Sequence, residues 1–230
     1  MKEELQTTAD KIIQVSLKLF ASKGFEATSI RDIAMAAEVT SSTLYYYIKN
    51  KEDFLLSIMK KGLHPLINNA KDILSHYENP EQRITALVQM HVMAHGVNRL
   101  SALVIDTEFR ALHGENKVLI KNLRKEYEHI WTSVIKEGKE EGTFLFDEDI
   151  KLTTFALLEM CTGVVHWYSP SGSLSLVEIS ENFANVALRL LGAKRNGQLI
   201  TFKDLDLPSP TQYYEPGFKE YVKYREVLNK

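Results

Sequence analysis

"TSIRDIAMAAEVTSSTLYYYIKNKEDFL", residues 28–55, decides the fold of this chain. Tyr45, Tyr46 and Tyr47 are consecutive, and three bulky aromatics in a row cannot all face one core on any regular element. Leu44 and Ile48 stand four residues apart and anchor a short helix over 41–48 inward. Each residue turns the helix by about 100°, so Ser42 and Tyr46 point outward, with Lys49 following if the helix persists. Thr43 and Tyr45 fall on the flanks, and Tyr47 sits beside the core edge. Just upstream, Ile30, Ile33, Ala34 and Ala37 form the core face of a second short helix. Thr28 or Ser29 can cap it, and Ser29 with Asp32 has capping-box spacing. Asn50 and Asp53 repeat that spacing at the start of the next helix.

A longer helix over 7–23 precedes these two, with Ala9, Ile12, Ile13, Leu17 and Phe20 in one stripe. Lys23-Gly24-Phe25 ends it as a glycine cap followed by an apolar residue. The three together predict a helix-turn-helix unit. Its outward face suits the major groove of DNA. Small residues such as Ser41, Ser42 and Thr43 let a helix end approach base edges, and hydroxyls can meet donors or acceptors there. Tyrosine hydroxyls can donate to phosphate oxygens, and Lys51, in the first turn of the next helix, can reach the same backbone. A surface tyrosine cluster with structural Ser/Thr caps is the plainer alternative.

The charge of the chain limits how DNA could be held. The 230 residues carry a formal net charge of −2, and 44% are hydrophobic. Residues 1–62 carry 9 Lys and Arg against 8 Asp and Glu. A few well-placed groups would therefore make the contact, not a basic surface. Cys161 is the sole cysteine, so an intrachain disulfide or a cysteine-rich zinc site is excluded. No apolar run approaches the roughly 20 residues of a spanning helix, and the acidic start lacks a signal core, so a cytoplasmic protein without a membrane partner is expected.

Helical patterns continue at about 51–76, 80–97, 99–112, 115–141, 147–168 and 175–192. Pro65 is expected to kink or split the first, and "QLITF" at 198–202 alone reads as a possible strand. Ile150, Thr154, Leu157, Cys161, Val164 and Tyr168 step by four and three, as do Leu176, Ile179, Phe183, Val186 and Leu190. Each is a heptad-like seam, and the turn at 169–172 predicts an antiparallel pair that seeks a two-fold copy. Leu157, Cys161, Val164, Phe183, Val186 and Leu190 are the expected dimer contacts. Met90, Phe109, Tyr127 and Trp131 belong to an aromatic and Met-rich set that can line an apolar ligand cavity, although core packing accounts for any one of them. His91 and His95 are one turn apart and could bind a divalent metal if Asp106 or Glu108 of the next predicted helix supplied a third ligand, but two partly exposed histidines on an amphipathic helix are the plainer reading, so no metal or cofactor is expected. A nucleophile elbow, a glycine-rich phosphate loop and a zinc-protease motif are missing, so an enzyme is not expected.

The quoted stretch resembles the DNA-binding domain of TetR-family transcriptional repressors, above all in "IRDIAMAA" followed at family spacing by "TLYYYIKNKEDF". The resemblance covers about residues 7–56 and implies an operator-binding face. Arg31 becomes a base or phosphate contact, Ser41, Ser42 and Thr43 face bases, and Tyr45, Tyr46, Tyr47 and Lys51 hold phosphates. Three positions depart from the pattern. Glu38 stands where a turn glycine is usual, Ser42 replaces a frequent glycine and Ile48 replaces the usual phenylalanine. The change at Ser42 bears on which bases are touched. "HWYSPSGSLSLVEISENFANVALRLLG" (166–192) is similar to the end of family members that respond to acyl-CoA thioesters. That implies an acyl-CoA-like effector near Arg110, His166 and Trp167.

The expected architecture is all-α, with a three-helix helix-turn-helix domain at 1–50 and a larger helical effector-binding and dimerisation domain at 51–193. An extension at 194–230 is expected to pack back on the latter, partly through a short helix bearing Phe218, Tyr221 and Val222. The expected protein is a repressor that binds a palindromic operator as a homodimer and leaves it on binding a small hydrophobic effector. Another aromatic or lipophilic effector, or a protein-binding adaptor with a vestigial DNA domain, is the alternative.

Overall fold

The computed structural model describes residues 8–214, to which every structural statement below refers. Phe218, Tyr221 and Val222 lie outside that range. The fold is all-α, and the described residues form two compact units.

One unit reaches to Leu63 and adds Leu100–Asn122. Helix α1 (Thr8–Lys23) buries Ile12, Leu17 and Phe20. Gly24 closes it in a left-handed conformation, its N–H donating to Phe20 O at 3.0 Å, and the Phe25 ring packs 5.2 Å from that of Phe20. Helix α2 (Ile30–Ala37) starts in the capping box that the spacing predicts, with Ser29 and Asp32 exchanging backbone and side-chain bonds. Helix α3 (Ser41–Tyr47) is capped by Thr40, whose hydroxyl accepts from Thr43 N–H, and buries Leu44. Helix α4 (Lys51–His76) is opened by a reciprocal Asn50–Asp53 pair. It runs on through Pro65, so the proline does not split it.

Sequence spacing places the first boundary at residue 50, but the contacts carry this unit into α4. Phe54, Leu55, Ile58 and Met59 on its first half are all buried. Helix α6 (Arg99–Thr107) joins the same unit because Gly62 allows close approach: a Cβ there would stand 2.2 Å from Ile105 Cδ1. The expected helix 99–112 is α6 followed by a 3₁₀ turn at Glu108–Ala111. Helix α7 (Gly114–Glu140) begins here, where Glu52 Oε1 accepts from His113 N–H at 3.1 Å and from Asn116 Nδ2 at 2.9 Å.

The second unit comprises His64–Arg99 and the chain from Leu123 onward. Helix α5 (Pro80–Val97) is buried nearly all round, as expected of a segment with apolar residues on every face. The predicted helix 147–168 is two pieces, α8 (Ile150–Thr162) and α9 (Val164–Trp167), meeting at Gly163. Both lie against α5, and so, most extensively, does α10 (Leu176–Leu190). Gly96 brings α5 and α10 together, since a Cβ at that position would stand 2.3 Å from Leu176 Cδ1.

After α10 the chain forms a two-residue hairpin of β1 (Lys194–Arg195) and β2 (Gln198–Leu199). Asn196 and Gly197, both with positive φ, supply its turn. The expected strand at 198–202 is thus confined to its first two residues. Arg195 pairs with Glu81 at 2.8 Å, Phe202 N–H donates to Asn185 Oδ1 at 3.0 Å, and a 3₁₀ turn at Pro210–Tyr214 packs on α5. The described part of the extension therefore lies on α5 and α10.

Candidate nucleic-acid interface

Helix α3 owes its exposure to its shortness. Two turns offer one fully inward position, which Leu44 fills. The three tyrosines are exposed to 57% (Tyr45), 82% (Tyr46) and 42% (Tyr47), the last two rings meeting edge-on at 5.1 Å. Tyr45, placed on the flank by the helical wheel, is more open than Tyr47. At the helix start, the Thr40 hydroxyl lies 2.9 Å from the hydroxyls of both Ser42 and Thr43. That network orients small polar groups at an N-terminus whose free amides already favour anions. Ser41 and Thr43 are half-buried, Ser42 is exposed, and Arg31 and Met35 are exposed on α2.

The turn between α2 and α3 holds Glu38 in the left-handed region (φ 59°). The position does require the conformation that glycine adopts most easily. Glu38 pairs with Lys11 of α1, and that hydrogen bond keeps its carboxyl below the usual range. Asp32 is also held low by the backbone N–H and hydroxyl of Ser29.

Lys51 is placed differently from the sequence expectation. Its ammonium donates to Phe25 O at 2.7 Å and sits 4.1 Å from the centre of the Phe25 ring. It ties α4 to the loop after α1, and only its remaining donors are left for a phosphate. Next to it, burial raises the Glu52 carboxyl, but hydrogen bonds from Asn116 and His113 outweigh this and hold it low.

The expected ligand residues are divided between the two units. Met90, Tyr127 and Trp131 are buried in the second unit, Phe109 and Arg110 belong to the first, and His166 and Trp167 are exposed. Tyr127 and Trp131 instead surround His91, weighed in the sequence only as a metal ligand. His91 Nδ1 meets the Tyr127 hydroxyl at 2.9 Å, and Nε2 meets the Thr162 hydroxyl at 3.1 Å. The His95 ring stacks on it at 3.9 Å. Burial, and secondarily the charge of His95, pushes the His91 pKa well below its ordinary value. Burial raises the Tyr127 phenol and the Cys161 thiol. Burial thus disfavours the charged forms of His91, Tyr127 and Cys161. Thr85 Oγ1 and Gln89 Oε1 of α5 are buried without hydrogen-bond partners, as is Trp131 Nε1. A polar residue at a helix position predicted to be core is the one sequence sign of these groups.

The expected dimer residues divide into two sets. Leu157, Cys161 and Val164 have no exposed surface, because α5 covers that face of α8 and α9. They are core residues and have nothing to offer a partner. Phe183 is half-buried, 6.1 Å from the Trp167 ring, while Val186 and Leu190 are exposed, as are Leu152 and Phe155 of α8. Among the described residues no helix is long and apolar enough to cross a membrane.

Comparison with known proteins agrees with this geometry. A model of bacterial regulatory proteins of the tetR family matches residues 12–58, and one of the tetracyclin repressor-like C-terminal domain matches residues 77–191. The HTH-type transcriptional repressor KstR2 of Rhodococcus jostii strain RHA1 is 26% identical over 187 residues, 81% of this chain and 92% of the relative. A crystal structure of a bacterial regulatory protein in the tetR family from Rhodococcus RHA1 superposes with a TM-score of 0.76 at 27% identity, covering 83% of this chain and 100% of that one. AibR, crystallised with isovaleryl coenzyme A and operator DNA, shares the fold with a TM-score of 0.73 at 23% identity, over 82% of this chain and 100% of that chain.

Proposed function

This chain belongs to the TetR family, and on that premise we propose that it is a cytoplasmic transcriptional repressor whose α2–α3 face grips operator DNA. The observation that carries the reading is the outward tyrosine triplet beside a Thr40-capped helix end. Hydroxyls and helix-end amides supply phosphate contacts without adding charge, which suits an N-terminal segment with nearly balanced charges. KstR2, similar along most of the chain, is itself named a repressor.

Two copies are needed to present two recognition helices to grooves one turn apart, roughly 34–36 Å. The outward apolar residues Leu152, Phe155, Val186 and Leu190 are the surface we assign to that homodimer. The functional division is residues 1–50 for DNA, 51–193 for effector and dimerisation, and 194–230 as an extension of the latter. The effector is a small hydrophobic molecule, and an acyl-CoA is the favoured class. The end of the chain resembles acyl-CoA-responsive members, and AibR was crystallised with isovaleryl coenzyme A. Such a ligand acts by preferring one of two helix arrangements.

Gel-shift titration on the DNA immediately upstream of the gene tests this. The expected result is a specific, salt-sensitive complex of dimer stoichiometry that Tyr46→Ala weakens and an acyl-CoA dissociates. Absence of a specific complex would sink the repressor reading. Release by unrelated lipophiles but no acyl-CoA would sink the ligand class alone.

A further inference from the structure

We propose that the cavity between the last turns of α4 and the 3₁₀ turn at Pro210–Tyr214 is a ligand site of its own, which takes a primary amine on a short aromatic or apolar stem. Asn69, Asp72 and Ile73 of α4 line it, with Tyr77 just after the helix and Pro208 and Tyr213 from the extension. All of them belong to the second unit, and none is shared with the His91 centre. Pro208 and Tyr213 also lie beyond residue 191, where the match to the C-terminal family domain stops. The volume, about 420 Å³, is in the range of sites for small organic molecules.

Asn69 is the sign that something binds there. Its side chain is only 7% exposed, yet its amide makes no hydrogen bond among the described residues. Buried polar side chains normally find partners, and this one offers an acceptor oxygen and two donor hydrogens to the cavity it lines.

Charge selects the class of ligand. Asp72 is the carboxylate of the cavity, and among the described residues neither Lys nor Arg lines it. Lys71, its neighbour in sequence, is paired with Glu126 at 2.6 Å. Arg83 donates to Tyr77 O but is committed to Glu137 through Nη1. The Tyr77 and Tyr213 hydroxyls lie 3.3 Å apart, and burial, then the contact with Tyr77, pushes the Tyr213 phenol up, so it stays neutral. His76, exposed at the same helix end, is the imidazole of the site. The C-terminus of α4 itself favours a cation. An ammonium would therefore meet the Asp72 carboxylate, the Asn69 carbonyl and phenol oxygens, whereas a carboxylate would meet Asp72 as a like charge. The Tyr77 and Tyr213 rings, 6.4 Å apart, with Ile73 and Pro208, suit the stem.

Calorimetric titration of the full-length protein with phenethylamine, phenethyl alcohol and hydrocinnamate tests this, since the three share a stem and differ in charge. At about pH 8 an ordinary imidazole is neutral and a primary amine is charged. The amine should bind at least about tenfold more tightly than the alcohol, and the acid more weakly than either. Asp72→Asn, at an exposed position, should bring the amine to within about twofold of the alcohol and leave the alcohol unchanged. Asn69→Leu should weaken amine and alcohol together, and Asp72→Asn alone decides the matter if that variant does not fold. Equal affinities for amine and alcohol, no binding of the amine at about 10 mM, or an amine preference that survives Asp72→Asn would each overturn the proposal. The measurement needs no operator DNA and no acyl-CoA, so it stands whether or not the repressor reading does.

Discussion

Helices α3 and α5 use the same backbone geometry to opposite ends. Helix α3 buries Leu44 and leaves three tyrosines in solvent, whereas α5 buries residues on every side, including Thr85, Gln89 and His91. In the first, the anomaly is apolar surface outside. In the second, it is polar chemistry inside. The informative residue is in each case the one that a packing rule would have placed elsewhere. An exposed aromatic face is legible one turn at a time. A buried polar group acquires meaning only from partners far away in sequence.

The contrast can be broken at several points, from larger to smaller expected effects. Leu44→Ala should destabilise the protein by about 2–5 kcal/mol, because α3 has no second fully buried side chain to hold it. Urea denaturation with an unchanged midpoint would show that α3 is held by something else. Gly96→Ala should cost about 1–3 kcal/mol, as the new methyl must displace Leu176 in a close-packed contact. The thermal midpoint measures it.

His91 gives the pH dependence. Its folded pKa lies well below the ordinary 6.5, so the unfolded chain takes up this proton first. Its contribution is fully present above about pH 6.5 and is lost as pH falls toward the folded value. The slope approaches about 1.4 kcal/mol per pH unit. Denaturation of wild type and His91→Gln between neutral and acid pH should diverge in that sense; parallel curves would contradict it. Thr40→Ala should remove about 1 kcal/mol with the α3 cap. Tyr46→Ala should change stability by less than about 0.5 kcal/mol while weakening DNA binding. A large loss of stability there would make Tyr46 a structural residue.

The N-terminal unit was readable because its signals are local. Ser29 with Asp32, Asn50 with Asp53 and Gly24 before Phe25 each specify a helix end within a few residues, and the structure uses all three. Other features needed the third dimension. Lys51 reads as a phosphate contact from position alone, yet Phe25, distant in sequence, holds its ammonium. The seam through Leu157, Cys161 and Val164 has the period of an interface, but period says only that a face is apolar, and α5 covers it. His91, Tyr127, Trp131 and Thr162 converge from three helices, so no spacing joins them. The Asn196-Gly197 hairpin was within reach of the sequence, since that dipeptide is a strong turn signal. The strand pattern of 198–202 drew attention past it.

The claim that the tyrosine face of α3 holds DNA by its hydroxyls is tested most directly by replacing Tyr45, Tyr46 and Tyr47 together with phenylalanine. The rings and the apolar surface remain, and only three oxygens go. Fluorescence anisotropy on operator DNA across a salt series should show affinity lower by at least about tenfold. The dependence of log K on log salt should be unchanged, because hydroxyls release no counterions. Unchanged affinity in the triple variant would contradict the account.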